Sequence, residues 1–175
     1  ETGPTPQHMP ATTPTLVVSP IPLPERITLI GAQHEYQTWN NCGPATLAMA
    51  LTYWGWDSDQ RPIAAFTKPN SRDKNVMPYE LSDYVLEETE FEIVYRTGGD
   101  IELLKRLLAA ELPVIIEKGF EGRDFDGWMG HYVLVTGYEE IEGRFIVQDS
   151  YYGPDQSIQY EDLESNWRAF NFTYL

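Results

Sequence analysis

Asn40-Asn41-Cys42-Gly43-Pro44-Ala45-Thr46-Leu47-Ala48-Met49-Ala50-Leu51-Thr52-Tyr53-Trp54-Gly55 is the stretch whose reading decides the fold. The Asn pair is a helix cap, Pro44 falls in the first turn, where an N–H has no intrahelical partner, and Gly55 marks the stop. Almost every side chain from Ala45 to Met49 is apolar or small. A surface helix keeps a polar face, so this one is expected to be buried at the centre of the domain. Trp54 and Trp56, at its end, are expected in the core. Its first turn carries Cys42, the one cysteine of the chain. A single cysteine excludes an intramolecular disulfide and every multi-Cys zinc site, so any sulfur chemistry comes from this thiol.

On the C-terminal side of this helix the period stays helical and then changes. Leu81, Tyr84 and Val85 predict a helix over 78–88, and Ile101, Leu104, Leu107 and Leu108 predict another over about 100–111, with Asp100 as cap and Pro113 as stop. Beyond Pro113, residues 114–116, 131–138, 144–149 and 170–174 are rich in β-branched and aromatic side chains bounded by Gly, Asp or Pro, which is strand patterning. Helices first and a sheet afterwards predict an α+β fold with helices packed on an antiparallel sheet. On the N-terminal side, residues 1–24 hold seven of the 13 prolines, five threonines and one charged residue. Such a stretch buries too little apolar area to fold, and it reads as a linker ahead of a domain spanning 25–175. Pro/Thr tethers of this kind join a membrane anchor or an export signal to an extracellular module, so an extracellular or cell-surface location is expected.

The chain has 175 residues and 12 Lys+Arg against 27 Asp+Glu, a net charge of −15. Phosphate-rich partners need clustered basic side chains, so neither nucleic acid nor an anionic membrane surface is expected as the main partner. No apolar run reaches the length of a membrane span. With 42% hydrophobic and 13% aromatic residues, the chain can bury a real core. The three histidines, His8, His34 and His131, are too far apart for a local ligand pair, and no metal or cofactor is expected. Asp124-Phe125-Asp126-Gly127 matches only a fragment of a calcium loop and is expected to be a loop at a cleft mouth.

The hairpin between strands 131–138 and 144–149 yields a geometric expectation. A turn centred near Glu140 sets His131 opposite Asp149, close enough for the carboxylate to hold the imidazole through its Nδ1 proton. A register slip of one residue would send the pair to opposite faces. Cys42, in the first helical turn, sits where unpaired N–H groups and the helix dipole favour an anion, which lowers a thiol pKa, most of all beside an imidazolium. Thiol, imidazole and carboxylate together are the parts of a nucleophilic acyl-transfer site. Gln37 or Gln33, ahead of the helix, is the candidate side-chain donor of an oxyanion hole, with Gln37 the first choice. Trp128 is a candidate for lining the cleft. His34 belongs to no second matching set and is expected to be a surface or strand-edge residue.

Gln37-Thr38-Trp39-Asn40-Asn41-Cys42-Gly43-Pro44-Ala45, together with Gly130-His131-Tyr132-Val133-Leu134-Val135-Thr136-Gly137-Tyr138 and the later Asp149-Ser150, resembles the papain-like cysteine peptidases. The likeness is to the double-glycine, bacteriocin-leader-processing branch and its stand-alone bacterial relatives, and it covers roughly residues 33–160. The resemblance implies a papain-like fold and cleavage of peptide bonds in a peptide or protein substrate. It also implies Cys42 as nucleophile, His131 as general base and acid, Asp149 as its orienter and a preceding Gln in the oxyanion hole. Gly43, Trp128 and Gly130 are the expected substrate-binding residues. The leader-processing relatives are fused to transporters, so a preference for Gly-Gly junctions is not carried over. Two other readings use the same residues: acyl transfer by a transglutaminase-like enzyme or an amidase, and a peptide-binding module that does not cleave.

Overall fold

The computed structural model describes residues 22–70, 72–121 and 127–175. Most of the expected linker and most of the Asp124-Phe125-Asp126-Gly127 loop therefore lie outside the described residues. The elements run β1 (Arg26–Thr28), α1 (Cys42–Tyr53), α2 (Gln60–Thr67), α3 (Pro78–Glu88), α4 (Ile101–Ala109), β2 (Val114–Phe120), β3 (Met129–Glu139), β4 (Arg144–Asp149), β5 (Gly153–Gln159) and α5 (Tyr160–Trp167), followed by a 3-10 turn (Arg168–Phe170). Helices and a curled antiparallel sheet make up the α+β papain-like architecture. Among the described residues, no helix is long and apolar enough to cross a membrane.

The long strand β3 organises the sheet. β1 and β2 lie end to end along one of its edges, β4 pairs with the other, and β5 pairs with β4, all antiparallel. The C-terminus adds a short extension: Ile115 and Leu175 exchange both backbone hydrogen bonds, and Tyr174 bridges Arg96 and Ile116. The strand expected over 170–174 is thus a 3-10 turn and two left-handed residues, Asn171 and Phe172, before the bridge.

Strand alternation sorts the core into two layers. Ile115, Tyr132 and Leu134 face α1, α2 and α3, packing with Leu47, Met49, Ile63, Leu81 and Val85. Val114, Ile116, Val133, Val135 and Val147 face the other way, toward Leu104 and Leu108 of α4 and Leu163 and Trp167 of α5. α1 therefore has apolar neighbours all round, which accounts for its lack of a polar face: Ala45 and Met49 are fully buried. Trimming Met49 to Ala would cost about 2–5 kcal/mol by the usual penalty for a core cavity. Trp54 departs from the expectation. It caps the C-terminus of α1 half exposed, while Trp56 turns back onto the core.

Four elements escape the sequence patterns, the three-residue β1 among them. α2 is short, begins at an Asp59 cap whose carboxylate accepts the Arg61 N–H at 2.9 Å, and contributes only Ile63 as a fully buried apolar side chain. β5 starts at Gly153-Pro154 and alternates weakly, as an edge strand does. α5 follows β5 without a loop.

Candidate active site

Cys42 opens α1, and the turn that delivers it is tightly prescribed. Asn40 adopts the left-handed conformation at φ 52°, which Asn tolerates better than most residues, and its carbonyl accepts the Lys68 ammonium at 2.8 Å. Asn41 occupies the cap position, but its side chain makes no capping bond; its amide donates to Gln60 Oε1 at 2.7 Å instead. The helix start is therefore held from outside, by α2 and the residue that follows it.

His131 lies on β3 and Asp149 at the end of β4, joined by a 2.9 Å bond between His131 Nε2 and Asp149 Oδ1. The ring nitrogen that meets the carboxylate is therefore Nε2, not the expected Nδ1, which leaves Nδ1 for the thiol. The register also differs from the expectation. From the turn, Glu139 pairs with Arg144, Tyr138 with Phe145 and Gly137 with Ile146; then Thr136 is bypassed, and Val135 meets Val147 and Leu134 meets Gln148. Carried on without the irregularity, the pairing that leaves the turn would put Asp149 across from Leu134, on the face away from His131. The extra residue at Thr136 moves Asp149 to the Val133 position, so His131 and Asp149 are diagonal neighbours on one face rather than direct partners.

Asp149 Oδ1 also accepts the backbone N–H groups of Tyr151 and Tyr152, at 2.8 and 3.0 Å, in a turn closed by its own side chain. Burial pushes the Asp149 carboxyl up, but the hydrogen bond and charge of His131 and these two N–H groups hold it below the ordinary value. For His131, burial opposes the cation, yet hydrogen bonds to Asp149 and Cys42 and their negative charges raise its pKa to about 9. Burial likewise pushes the Cys42 thiol up, and His131, through its hydrogen bond and charge, with the backbone N–H groups of Tyr132 and Gly43, brings it below its ordinary value. Each shift favours a thiolate–imidazolium pair. The Phe120 ring stacks on the imidazole, centroids 4.5 Å apart and planes at 28°, and shields the His131–Asp149 bond from water.

The segment preceding Cys42 is sutured to this pair. The Gln37 N–H donates to the Ser150 carbonyl at 2.9 Å, and the Ser150 hydroxyl donates to Gln37 Oε1 at 2.9 Å, which leaves the Gln37 amide N–H groups to act as donors. Gln33 is placed elsewhere: its backbone N–H donates to Thr52 Oγ1, near the far end of α1 and about 15 Å along the helix from Cys42. His34 is not a bystander at a strand edge, since its Nε2 bonds the carbonyl of Asp149 at 3.0 Å and its ring meets Tyr36 edge-on. Gln60, buried at the start of α2, ties the whole segment together. Its Oε1 accepts from the Thr38 N–H, the Thr38 hydroxyl and the Asn41 amide, and its Nε2 donates to Glu35 and to the Tyr36 carbonyl.

Comparison with known proteins decides the class. The Peptidase C39-like family matches residues 29–175, which is most of the chain. The chain belongs to the Peptidase C39-like family. It is accordingly a cysteine peptidase, a hydrolase. Among solved structures, one described as a C39-like peptidase from Bacillus anthracis is 18% identical, with a TM-score of 0.67 over 86% of this chain and 96% of that one. Xylellain, a cysteine protease from Xylella fastidiosa, is 15% identical, with a TM-score of 0.58 over 80% and 81%. The peptidase domain of Streptococcus ComA, a bi-functional ABC transporter involved in a quorum-sensing pathway, is 18% identical, with a TM-score of 0.54 over 78% and 92%. At these identities the likeness is one of fold. No curated protein matches the sequence.

In this C39-like chain the three expected substrate-binding residues lie in different settings. Gly43 is buried beneath the Tyr132 ring, which a Cβ would approach to 3.3 Å, so it packs α1 against the sheet rather than lining open space. Gly130 is half-buried beside His131, and Trp128 is 54% exposed, stacked on Phe170 with centroids 5.5 Å apart. One residue near this end of the site was missed in the sequence. Glu117, directly across β2 from Tyr132, is half-buried, and burial pushes its carboxyl up to about 7. No pattern marks it, because a single Glu in an apolar strand reads as a solvent-facing residue.

Proposed function

We propose that Cys42, His131 and Asp149 form the catalytic triad of a peptidase that works through a thioester acyl-enzyme, with Gln37 as the side-chain donor of the oxyanion hole. The observation that carries this reading is the continuous chain from the Cys42 thiol through the His131 ring to Asp149 Oδ1, in which the thiol is lowered and the imidazole raised. In the first half-reaction the thiolate adds to the carbonyl carbon of the scissile peptide. The oxyanion is met by the Cys42 N–H, which as the first of the helix has no intrahelical partner, and by the Gln37 amide. The C–N bond then breaks as His131 gives its proton to the leaving amine. Water attacks the thioester, loses its proton to His131, and the released acid leaves the thiolate restored. Asp149 holds the ring through Nε2 so that Nδ1 faces sulfur throughout.

The test is cleavage of a peptide mixture by the full chain, with intact mass of the protein recorded during turnover. A covalent adduct on the wild type, absent in Cys42→Ala together with all cleavage, supports the triad. Cleavage that survives Cys42→Ala refutes it. Products ending in a free carboxylate identify water as the acceptor, whereas products joined to an added amine identify the transferase reading. The Pro/Thr-rich composition of residues 1–24 supports an extracellular or cell-surface setting, in which that stretch tethers the domain.

A further inference from the structure

Beside the triad, on the α1-facing side of the sheet, β2 and β3 carry a pair of directly opposed glycines, Gly119 and Gly130. Their missing side chains let three other groups lie directly against the sheet surface. Trp128 lies over Gly119, and Phe170 and the Glu117 carboxylate lie over Gly130. A Cβ on Gly130 would stand 2.6 Å from Glu117 Oε1 and 3.0 Å from the Phe170 ring, so carboxylate and ring edge meet over the same glycine. The Trp128 and Phe170 rings are stacked, with planes at 18°, and Trp128 is half exposed.

Glu117 has, among the described residues, no partner that would account for a charge in this position. Among the described residues, no ion pair or backbone donor reaches it, and the one polar neighbour is the Tyr132 phenol, whose single proton goes to the Val76 carbonyl at 2.8 Å. Lys118, next in the strand, points to the opposite face, donating to the Gly119 carbonyl and lying over Phe120. A half-buried carboxylate without a donor costs free energy that a cation would recover. Stacked aromatic rings are the other element that recognises an ammonium or guanidinium, through their negative faces.

We propose that Glu117, Trp128 and Phe170 form a substrate subsite for a cationic side chain, a lysine or arginine close to the scissile bond. This inference rests on the peptidase reading above. The subsite adjoins the reacting sulfur, because Tyr132, opposite Glu117, offers its backbone N–H to the Cys42 thiol. An extended peptide advances about 3.3 Å per residue, so the cation sits within about three residues of the cleaved bond. The surplus of acidic residues over the whole chain, 27 against 12, attracts such a peptide from a distance.

The experiment compares kcat/KM for matched peptides that carry lysine or norleucine, and arginine or citrulline, at each position near the scissile bond. The wild type is expected to prefer the cation by about tenfold or more at one position, as an interaction with a charged partner allows. Glu117→Gln is expected to collapse that ratio, and Glu117→Lys to invert it in favour of a glutamate peptide. Trp128→Ala, which alters an exposed side chain, is expected to weaken it independently, so the test survives if a Glu117 variant fails to fold. A wild type that prefers norleucine, or a lysine preference unchanged in both Glu117→Gln and Trp128→Ala, overturns the subsite. If no peptide is hydrolysed at all, calorimetric binding of the lysine and norleucine peptides to the full chain still reads it. Tighter binding of lysine then supports the subsite while the peptidase reading fails, and equal binding overturns it.

Discussion

Alkylation of Cys42 by iodoacetamide, followed across pH by intact mass, probes the thiolate–imidazolium pair directly, because one cysteine makes every mass shift unambiguous. The decisive perturbation is His131→Ala. In the wild type the thiol is held low, and the imidazole stays protonated up to about 9, so the ion pair prevails between those limits. The substitution removes the side-chain hydrogen bond and the positive charge but leaves the burial, which opposes the thiolate. The variant thiol therefore moves above the ordinary cysteine value. An ordinary thiol of pKa about 8.5 is only about 0.3% ionised at pH 6, so the variant holds far less thiolate there than the wild type, whose thiol is lowered. A more basic thiolate is also intrinsically more nucleophilic, with a Brønsted slope of about 0.4–0.5, which offsets about half of that loss on a logarithmic scale, so alkylation of the variant at pH 6 is slower than that of the wild type. At pH 9.5, where imidazolium is lost in the wild type as well, the two rates converge. Coincident profiles for the two proteins, or a wild-type midpoint near the free-cysteine value, would refute the ion pair.

Three further outcomes are expected. Replacing Gln60 by Leu strands the buried Asn41 amide and takes a partner from the Thr38 N–H, while Glu35 keeps the Gln60 backbone N–H; at about 1–3 kcal/mol per unsatisfied buried group, stability should fall by about 2 kcal/mol in urea unfolding, and an unchanged midpoint would deny Gln60 its structural part. Gln37→Ala should lower kcat about a hundredfold with little change in KM, as loss of an oxyanion donor does, and Ser150→Ala should lower it about tenfold by freeing the amide; a pure KM effect would count against the assignment. Glu117 has a folded pKa raised to about 7 from 4.5, so the folded state holds a proton that the unfolded chain releases, and stability is lost as pH rises through that window. Glu117→Gln should thus be more stable than the wild type at pH 8 by about 1–2 kcal/mol, allowing for partial solvent screening, and equal to it at pH 4; a gain at pH 4 instead would reverse the sign and sink the argument.

Much of the architecture was legible because it is written in local patterns. α1, α3 and α4 carry periodic apolar residues with recognisable starts and stops, and β3 and β4 are dense in β-branched and aromatic residues, so their positions follow from the chain alone. α2 and β5 were not legible because neither has an apolar face of its own: α2 is held by Asp59 at its start and buries little, and β5 is an edge strand with one Pro and one Ile.

The sequence by itself determined that a lone thiol opens a buried helix and that an imidazole and a carboxylate lie on neighbouring strands of a hairpin. These statements depend on spacing within a few residues, where helix and strand periods govern. Only the tertiary structure decided how the groups meet. The extra residue at Thr136, not the turn, puts His131 and Asp149 on one face, and it presents Nε2 rather than Nδ1 to the carboxylate. The placement of Gln37 beside Ser150 and of Gln33 at the far end of α1, the suture through Gln60 and Ser150, and the contacts of Glu117, Trp128 and Phe170 over the paired glycines all join residues distant in sequence. Such contacts are fixed by strand register and by the packing of α1 against the sheet. Both are properties of the whole chain, with energies summed over many side chains, so no local run of residues records them.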